Sequence, residues 1–449
     1  MSDNKITRRN FLKAAGAASL TAAGAGLWGL AGSQSAHAKT RMKGHLGKQA
    51  DLPKAKGPRV VVVGGGWSGL TLAKYVKKAD NKFDVVLIDR RATFMSCPMS
   101  NLWLADVVDL EFLSHSYLDA ARNNHYIFFN ATVIDVDRGS RKVYTEQGWL
   151  KYDYLVLAPG IDYDYGRVGV TDIDDITELR TKYPAGFIPG SEHLSIKNKL
   201  SYFEGGTFVL TVPSGNYRCL PGPYERTCMV ASIFKKEKIK GKVLLLDANP
   251  DITIKKEGFH RAFNKLYKGI VEYKPSTEIT SIDPARKEIK TEFDTYRFDD
   301  AAIYPGVRAA RLIEDLGLVN PESPQREANI DVLKYNVKGD NRVYVAGDAR
   351  PMPFSKSGNT ANSEAKYVAR VIAARAAGRE IDWESPNTIC HSAVAIDPLR
   401  SISVDAHYKY NPADQSFAFD KVKMFQTWSK ASGQANIEWA RGLYRDMFS

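Results

Sequence analysis

The sequence has 449 residues, with 63 lysines and arginines against 51 aspartates and glutamates, and a formal net charge of +12. This length is enough for two or three domains with sizeable cores. The basic residues are scattered and follow no recognisable nucleic-acid-binding motif, so we expect no nucleic-acid partner. The positive charge would suit an acidic protein partner or anionic lipid, and a well-solvated surface is the simpler alternative.

The N-terminus has the pattern of a twin-arginine export signal. Arg8 and Arg9 precede an apolar run rich in alanine and glycine, and Ala36-His37-Ala38 offers small residues around a cleavage point. The prediction is a signal peptide over residues 1–38 and a periplasmic mature protein with no transmembrane segment. The alternative is an uncleaved membrane anchor, which is disfavoured because alanine and glycine partition poorly into lipid.

A basic linker, residues 39–57, leads into a predicted nucleotide-binding turn. The β-branched run Arg59–Val63 predicts a buried parallel strand. Gly64, Gly66 and Gly69 follow with the G-x-G-x-x-G spacing, ahead of a segment with helical periodicity. Glycines at this spacing allow a tight turn, close approach of the backbone to a diphosphate, and close packing of helix on strand.

An acidic residue completes this pattern. The next predicted strand, residues 84–88, ends in Asp89, about twenty residues beyond the last glycine, where a carboxylate binds ribose hydroxyls. Trp67 and Ser68 in the turn and Arg90 beside the acid are further candidate cofactor contacts. The order strand, glycines, helix, strand and acid predicts a dinucleotide site.

Two later segments indicate FAD rather than NAD. A predicted strand over residues 152–157 leads into Ala158-Pro159-Gly160, and another, beginning at Asn341, leads into Gly347-Asp348. Both resemble motifs of flavoproteins with two dinucleotide folds, in which the aspartate holds the ribityl and diphosphate end of FAD. Taken alone, Asp348 would be a helix cap or turn former, but three motifs in superfamily order favour cofactor binding.

A second α/β unit lies between these motifs, with predicted strands at residues 207–212 and 243–246. Its first turn, residues 213–219, carries a cysteine where a glycine pattern would be needed. Because a diphosphate has no cradle there, we expect no NAD binding. A helix is predicted over residues 359–377.

Three segments with one cysteine each are the most distinctive part of the sequence: residues 93–101 with Cys97, residues 218–226 with Cys219, and residues 387–390 with Cys390. Together they resemble the flavoprotein subunit of flavocytochrome c sulfide dehydrogenase, and the resemblance extends over essentially the whole mature chain. It implies a thioether from Cys97 to FAD and a redox disulfide between Cys219 and Cys390. It also implies an acid/base role for Glu225. The further FAD contacts that it implies are Asn101, Lys356 and Asn359.

Each of these assignments has a simpler alternative. Cys97 would otherwise be a buried free thiol. Cys219 and Cys390 would otherwise form a purely structural disulfide. Glu225 would otherwise be a solvated carboxylate paired with a nearby basic residue. Cys228 has no counterpart in the family pattern and is predicted to be a buried thiol on a helix.

The resemblance implies oxidation of sulfide, or of a related reduced sulfur compound, by thiol–disulfide exchange. The sequence contains neither a Cys-x-x-Cys-His haem motif nor a His/Cys cluster with metal-ligand spacing. The expected electron acceptor is therefore a separate c-type cytochrome subunit, which makes the protein a sulfide:cytochrome c oxidoreductase. The alternatives are a sulfide:quinone reductase at the membrane surface and an exported FAD-binding subunit without catalysis.

The predicted fold is α/β, with two Rossmann-like three-layer domains of the glutathione-reductase type and a C-terminal interface domain. The predicted boundaries are 58–165 and 306–380 for the split FAD domain, 166–305 for the degenerate NAD-type domain, and 381–449 for the C-terminal domain. Aromatic residues near the C-terminus are candidates for a docking face or for core packing: Trp428, Trp439, Tyr444 and Phe448.

Overall fold

The computed structural model describes residues 47–449. The predicted signal peptide and the first part of the predicted linker lie outside the described residues. Within them, none of the helices combines the length and the apolar character needed to cross a membrane.

The strands of the described residues are β1 (Arg59–Val63), β2 (Asp84–Asp89), β3 (Thr93–Met95), β4 (Ser114–Ser116), β5 (Ile127–Asn130), β6 (Val133–Asp137), β7 (Lys142–Thr145), β8 (Gly148–Lys151), β9 (Tyr154–Leu157), β10 (Ile161–Asp164), β11 (Gly205–Val212), β12 (Lys240–Asp247), β13 (Val271–Lys274), β14 (Ile279–Asp283), β15 (Glu288–Thr291), β16 (Thr295–Arg297), β17 (Asp300–Ala302), β18 (Gly306–Ala309), β19 (Val343–Val345), β20 (Asn387–Ile396), β21 (Leu399–Asn411) and β22 (Ser416–Phe425). The α-helices are α1 (Trp67–Ala79), α2 (Ser100–Leu104), α3 (Tyr117–Asn123), α4 (Ile173–Lys182), α5 (Ser191–Ser201), α6 (Gly222–Glu237), α7 (Lys256–Arg261), α8 (Arg311–Asp315), α9 (Gly358–Ala376) and α10 (Lys430–Phe448).

The first domain is built on a parallel sheet with the strand order β19-β9-β1-β2-β5. Every residue of β1 is buried, because β9 and β2 pair with it on either side and α1 and α9 pack together over the sheet. Burial on both faces explains why this strand is an uninterrupted apolar run rather than an alternating one. β19 comes from the far part of the chain, so the domain is split in sequence.

The second domain has its own parallel sheet, in the order β13-β12-β11-β17. β11 and β12 extend further towards the N-terminus than the sequence predicted, because Gly205 and Gly206 continue the ladder opposite Lys240 and Gly241. α6 packs against this sheet and also against β20. Helix α6 therefore links the second domain to the C-terminal part of the chain.

The C-terminal part is an antiparallel sheet of β20, β21 and β22, followed by α10. β20 lies against α6 and α9, while α10 covers β21 and reaches α1 and α3. β22 forms the outer edge of this sheet, and nearly all of its residues are exposed. The turn after β1, the turn after β11 and strand β20 are thereby brought to a common region of the molecule.

Candidate functional site

The three glycines of the G-x-G-x-x-G spacing after β1 have different surroundings. A Cβ at Gly64, where φ is +102°, would lie 2.3 Å from the Ala158 carbonyl oxygen, and one at Gly69 would lie 1.8 Å from the Gly64 carbonyl oxygen. A Cβ at Gly66 would have no neighbouring atom within 4 Å. Gly64 and Gly69 are thus required by the packing of the turn, whereas Gly66 borders open space.

The open space at Gly66 fits the diphosphate of FAD. Gly66 caps α1 without a side-chain hydrogen bond, so the backbone N–H groups of the first helical turn have no intrahelical acceptor. The hydroxyl of Ser68 in that turn is buried and has no partner. Unpaired donors at a helix N-terminus favour phosphate oxygens. Trp67 is buried instead among aromatic rings, with its ring centroid 5.8 Å from that of Tyr444.

Asp89 is hydrogen-bonded to the same turn. Its carboxylate accepts hydrogen bonds from the backbone N–H of Gly65 at 2.6 Å and from that of Arg91 at 2.8 Å, and the Arg91 side chain also contacts it. Arg90 is exposed to solvent. Arg91, which the sequence did not single out, is therefore the arginine that neutralises this acid.

The turn between β9 and β10 borders the nucleotide turn. The backbone N–H of Ala158 donates to the carbonyl of Val63 at the end of β1. Gly160 has a φ of +78°, and a Cβ there would enter open space. Its carbonyl accepts from the N–H of Ala310 at 3.0 Å, next to the point where β10 pairs with β18. These residues carry the chain from the first domain towards the second.

Asp348 follows β19 in a short 3-10 turn with Gly347. The Nε atom of Arg218 lies 3.2 Å from a carboxylate oxygen of Asp348. Burial acts to lower the pKa of Arg218, but the Asp348 carboxylate raises it above its ordinary value. Lys356 is also buried here, and its ammonium donates to the carboxylate of Glu327 at 2.5 Å and to the Asp348 carbonyl at 2.9 Å. Arg218 and Lys356 thus bring the turn after β11 and the start of α9 to the Gly-Asp motif.

Three of the four cysteines line one cavity. Cys97 comes from the segment before α2, Cys219 from the turn after β11, and Cys390 from β20. The empty space of this cavity, including the part that opens to solvent, is about 610 Å³. The cysteines are present as thiols, so the disulfide between Cys219 and Cys390 stays a prediction. Cys228 is fully buried on α6, which confirms its interpretation as a buried thiol.

Cys219 has an unusual backbone conformation. Its φ is +60°, in the left-handed region that is uncommon for residues other than glycine. Its N–H donates to the Lys356 carbonyl at 2.8 Å. A Cβ at Gly222, the first residue of α6, would lie 2.9 Å from the Cys219 sulfur. The sulfur therefore rests against a helix N-terminus, which favours a thiolate, although burial raises the pKa of the Cys219 thiol.

Glu225 is buried one turn into α6. Its carboxylate accepts from the Asn101 side-chain amide at 2.8 Å and from the backbone N–H of Ala393 at 2.7 Å. Asn101 is held in turn by Arg226, whose Nε donates to the Asn101 oxygen at 3.0 Å. The alternative of a solvated Glu225 is therefore wrong. Burial raises the pKa of Glu225, against the opposing effect of these hydrogen bonds, as expected of a group that exchanges protons near neutral pH.

Cys390 lies beside a lysine that the sequence did not reveal. The Lys255 ammonium is 3.9 Å from the Cys390 sulfur and 2.7 Å from the Ser392 hydroxyl. Lys255 is followed by Lys256 in the sequence, and such a pair is typical of a solvated surface. Only the contacts of the Lys255 side chain with Cys390 and Ser392 on β20 show that the first of these lysines points inward.

Two remaining predictions concern α9 and the C-terminal helix. The side-chain oxygen of Asn359, at the start of α9, accepts from the backbone N–H of Ile389 at 2.6 Å, so Asn359 joins α9 to β20 beside Cys390. In α10, Tyr444 and Phe448 pack on His115, with ring centroids 4.6 and 4.5 Å apart. The contacts of Tyr444 and Phe448 favour the core-packing alternative for these two residues.

Two family models match the chain. The model described as pyridine nucleotide-disulphide oxidoreductase matches residues 58–178, which include the nucleotide turn. The model described as the central part of the sulfide dehydrogenase [flavocytochrome c] flavoprotein chain matches residues 194–305, which include Cys219 and Glu225. The chain belongs to the FAD/NAD(P)-disulfide oxidoreductase superfamily.

Individual relatives agree with this assignment. Type II NADH:quinone oxidoreductase Ndh of Mycobacterium tuberculosis is 27% identical over 361 residues, which are 73% of this chain and 75% of the relative. The sulfide:quinone oxidoreductase of Aquifex aeolicus has a TM-score of 0.67 at 17% identity, covering 87% of this chain and 91% of its own. Putidaredoxin reductase, in its covalent complex with putidaredoxin, has a TM-score of 0.61 at 16% identity, covering 85% and 93%.

These similarities and the two parallel sheets confirm the predicted fold class. The protein is a flavin oxidoreductase, and its cofactor is FAD. The thioether to Cys97 stays a prediction. So do the domain boundaries and the roles assigned to the individual site residues.

Proposed function

We propose that this protein is an exported enzyme that oxidises sulfide, or a related reduced sulfur compound, and passes the electrons to a c-type cytochrome subunit in the periplasm. The observation that carries the proposal is the convergence of Cys97, Cys219 and Cys390 on one cavity. The match of residues 194–305 to the flavocytochrome c sulfide dehydrogenase flavoprotein supports it.

Thiol–disulfide exchange accounts for the first step. Hydrosulfide attacks the Cys219 sulfur of a Cys219–Cys390 disulfide, the bond between the cysteines breaks, and its electron pair leaves on the Cys390 sulfur as a thiolate. Cys219 then carries a persulfide. The proton that remains on its outer sulfur can pass to the buried Glu225 carboxylate, which Asn101 and the N–H of Ala393 orient.

FAD, when bound, supplies a two-electron acceptor that can release electrons one at a time. Its diphosphate would fit the open space at Gly66 and the hydroxyl of Ser68, and the sequence motifs assign Asp89 to its ribose and Asp348 to its ribityl and diphosphate end. Cys97, at the cavity wall, would carry the covalent link. A tethered flavin suits an exported protein, because it cannot dissociate where it cannot be replaced.

The turn after β11 supports an electron donor other than NADH. In residues 213–219, Arg218 pairs with Asp348 and Cys219 faces the cavity. α6 begins only at Gly222, with Pro221 before it. Arg218 and Cys219 are therefore occupied by contacts to the flavin domain, and the segment, with Gly215 as its single glycine, lacks the glycine spacing that binds a diphosphate.

Cysteine variants test the function. Cys219→Ser and Cys390→Ser should each bind flavin and melt close to wild type, yet lose sulfide-driven bleaching of the flavin by orders of magnitude under anaerobic conditions. Cys228→Ala is the matched control and should bleach normally. If the pair is only a structural staple, each serine variant should instead lose about 2–5 kcal/mol of stability and keep its turnover. Mass spectrometry should find a Cys219–Cys390 peptide without reductant, and a Cys219–Cys228 peptide would refute the mechanism.

A quinone is the second candidate acceptor, because β22 exposes apolar side chains. Phe419, Val422, Met424 and Phe425 are each between 40% and 59% exposed, and such a surface can contact lipid. Relatives named NADH:quinone and sulfide:quinone oxidoreductases point the same way. Purification with the native partner should reveal bound haem under the cytochrome proposal. Vesicle binding that is lost in Met424→Ser, but kept when the exposed Phe293 is changed to serine, would support the quinone instead.

A further inference from the structure

Lys255 differs from two other fully buried cations, Arg350 and Lys356, in its partners. Arg350 lies 2.8 Å from a carboxylate oxygen of Glu364, and Lys356 lies 2.5 Å from one of Glu327. Lys255 is equally buried, at 1% exposure, but forms no ion pair with a carboxylate among residues 47–449. Because an unpaired buried charge is costly, an anion formed beside the Lys255 ammonium would be stabilised by it.

The polar partners of the Lys255 ammonium come from β20. They are the Ser392 hydroxyl at 2.7 Å, the Cys390 carbonyl at 3.3 Å and the Cys390 sulfur at 3.9 Å. The sulfur is the one atom among the three that can become an anion. The Glu225 carboxylate also interacts electrostatically with Lys255, while its two oxygens accept hydrogen bonds from Asn101 and from the N–H of Ala393.

The backbone holds Lys255 in this position at some cost. Its φ is +56°, in the left-handed region that lysine rarely adopts. It lies directly before α7, and its neighbour Lys256 turns outward to pair with Asp251 at 3.1 Å. A strained backbone that buries one lysine and exposes the next is typical of functional sites rather than of packing.

We propose that Lys255 is a catalytic residue that serves as the counter-ion of the Cys390 thiolate, and that it thereby makes Cys390 the leaving sulfur of the exchange. This proposal rests on the proposed function, because it concerns which sulfur of the disulfide is attacked and which leaves in that reaction. The nucleophile bonds to the Cys219 sulfur, the Cys219–Cys390 bond breaks, and its electron pair moves to the Cys390 sulfur beside the ammonium. No proton is needed in this step, and a stabilised thiolate leaves faster.

The groups that face Cys390 act on its charge in opposite directions. The pKa of Cys390 is raised overall, because burial, together with Glu225, outweighs the lowering by Lys255 and Ser392. His391 lies at the same cavity and is uncharged at neutral pH, because burial and Lys255 lower its pKa to about 4. Cys219 faces Cys390 from the turn after β11. Lys255 is thus the cation whose removal should change the Cys390 thiol most.

Alkylation of the reduced holoenzyme tests this without any substrate. Iodoacetamide is applied across a pH series, and mass spectrometry follows the Cys390 and Cys219 peptides. Lys255→Met should slow alkylation of Cys390 near pH 7 by about tenfold or more, because loss of the cation lowers the fraction of reactive thiolate, and should change Cys219 much less. Lys255→Arg should retain most of the rate, and Lys256→Met is the matched control that should have no effect.

A second measurement covers the case in which Lys255→Met does not fold. The thiolate absorbance near 240 nm of the reduced protein should include a component that Cys390→Ser removes and Cys228→Ala retains, and this component should titrate at a lower pH than the one that Cys219→Ser removes. The proposal is overturned if the Cys390 component titrates at the same pH as the Cys219 component or above it, or if Cys390 is alkylated equally fast in Lys255→Met and wild type. Failure of sulfide to bleach the flavin, with Cys390 alkylation still dependent on Lys255, would instead overturn the proposed function alone.

Discussion

Exchanging single glycines for alanine in the turn after β1 separates residues that the fold requires from residues that border the diphosphate. Gly69→Ala places a methyl group 1.8 Å from the Gly64 carbonyl oxygen, whereas Gly66→Ala meets no atom within 4 Å. Both positions have ordinary backbone angles for alanine, so neither change is penalised by φ alone. The two variants therefore differ only in what surrounds the new methyl group.

The expected magnitudes follow from those distances. Overpacking costs about 1–3 kcal/mol, and the cost at Gly69 should be at or above the upper end because the opposing atom is backbone and cannot rotate away. At Gly66 the flavin-free protein should keep its unfolding free energy within about 1 kcal/mol, since removal of a glycine stabilises and loss of a glycine cap slightly destabilises. Gly66→Ala should nevertheless lose FAD, because the methyl group occupies the space left for the diphosphate.

The comparison is best made on a Cys97→Ser background, from which flavin can be extracted if the predicted thioether exists. Denaturant unfolding of the flavin-free proteins removes the stabilisation that bound ligand would add, and flavin titration then measures binding. Gly442→Ala, another glycine with open surroundings but on helix α10 rather than in the turn, is the control. Full flavin binding by Gly66→Ala, or wild-type stability of flavin-free Gly69→Ala, would refute the reasoning.

Three further predictions concern the cofactor, the electron donor and the buried acid. Acid-precipitated wild type should stay yellow and Cys97→Ser should not, because the thioether keeps FAD on the denatured chain. NADH should not bleach the flavin within seconds in an anaerobic stopped-flow experiment, because residues 213–219 offer no cradle for its diphosphate. Burial raises the pKa of Glu225 above its ordinary value of 4.5, so its contribution to stability is present below that pH and is lost as the pH rises through the folded pKa. Urea unfolding should therefore show wild type losing stability relative to Glu225→Gln with rising pH, at a slope of at most about 1.4 kcal/mol per pH unit between the unfolded and the folded pKa.

Each of these has an outcome that contradicts it. Acid-stable flavin in Cys97→Ser would place the covalent link elsewhere or show that precipitation traps free FAD. Rapid bleaching by NADH would revive a reductase of the kind to which the chain is 27% identical. A gap between Glu225→Gln and wild type that is constant from pH 4 to pH 8 would mean that Glu225 titrates alike in the folded and unfolded protein.

The flavin-binding frame could be predicted from the sequence because its rules are local. Gly64, Gly66 and Gly69 are set by the geometry of one turn, and Asp89 by the length of one helix and one strand. The predicted helix over residues 359–377 is observed one residue earlier, as Gly358–Ala376. Its cap explains the difference, since the Ser357 side chain accepts from the N–H of Thr360.

The cavity could not be predicted in this way. Glu225 was as consistent with a solvated carboxylate as with a buried one, because its burial depends on Asn101 and on β20, which lie far away in sequence. No sequence pattern indicated that Lys255 is buried at the site, because adjacent lysines are common on solvated surfaces. The pairing of Arg218 with Asp348 likewise joins two domains.

The sequence by itself thus determined the class of cofactor and the order of the elements that bind it, because periodicity and glycine spacing act within a few residues of each other. The family resemblance added which cysteines matter. The tertiary structure alone decided which charged groups are buried and what they face, because burial depends on the segments that cover a residue and not on its chain neighbours. The tertiary structure therefore sets the chemical environment of three residues, because distant segments such as α6 and β20 cover them: Cys219, Glu225 and Lys255.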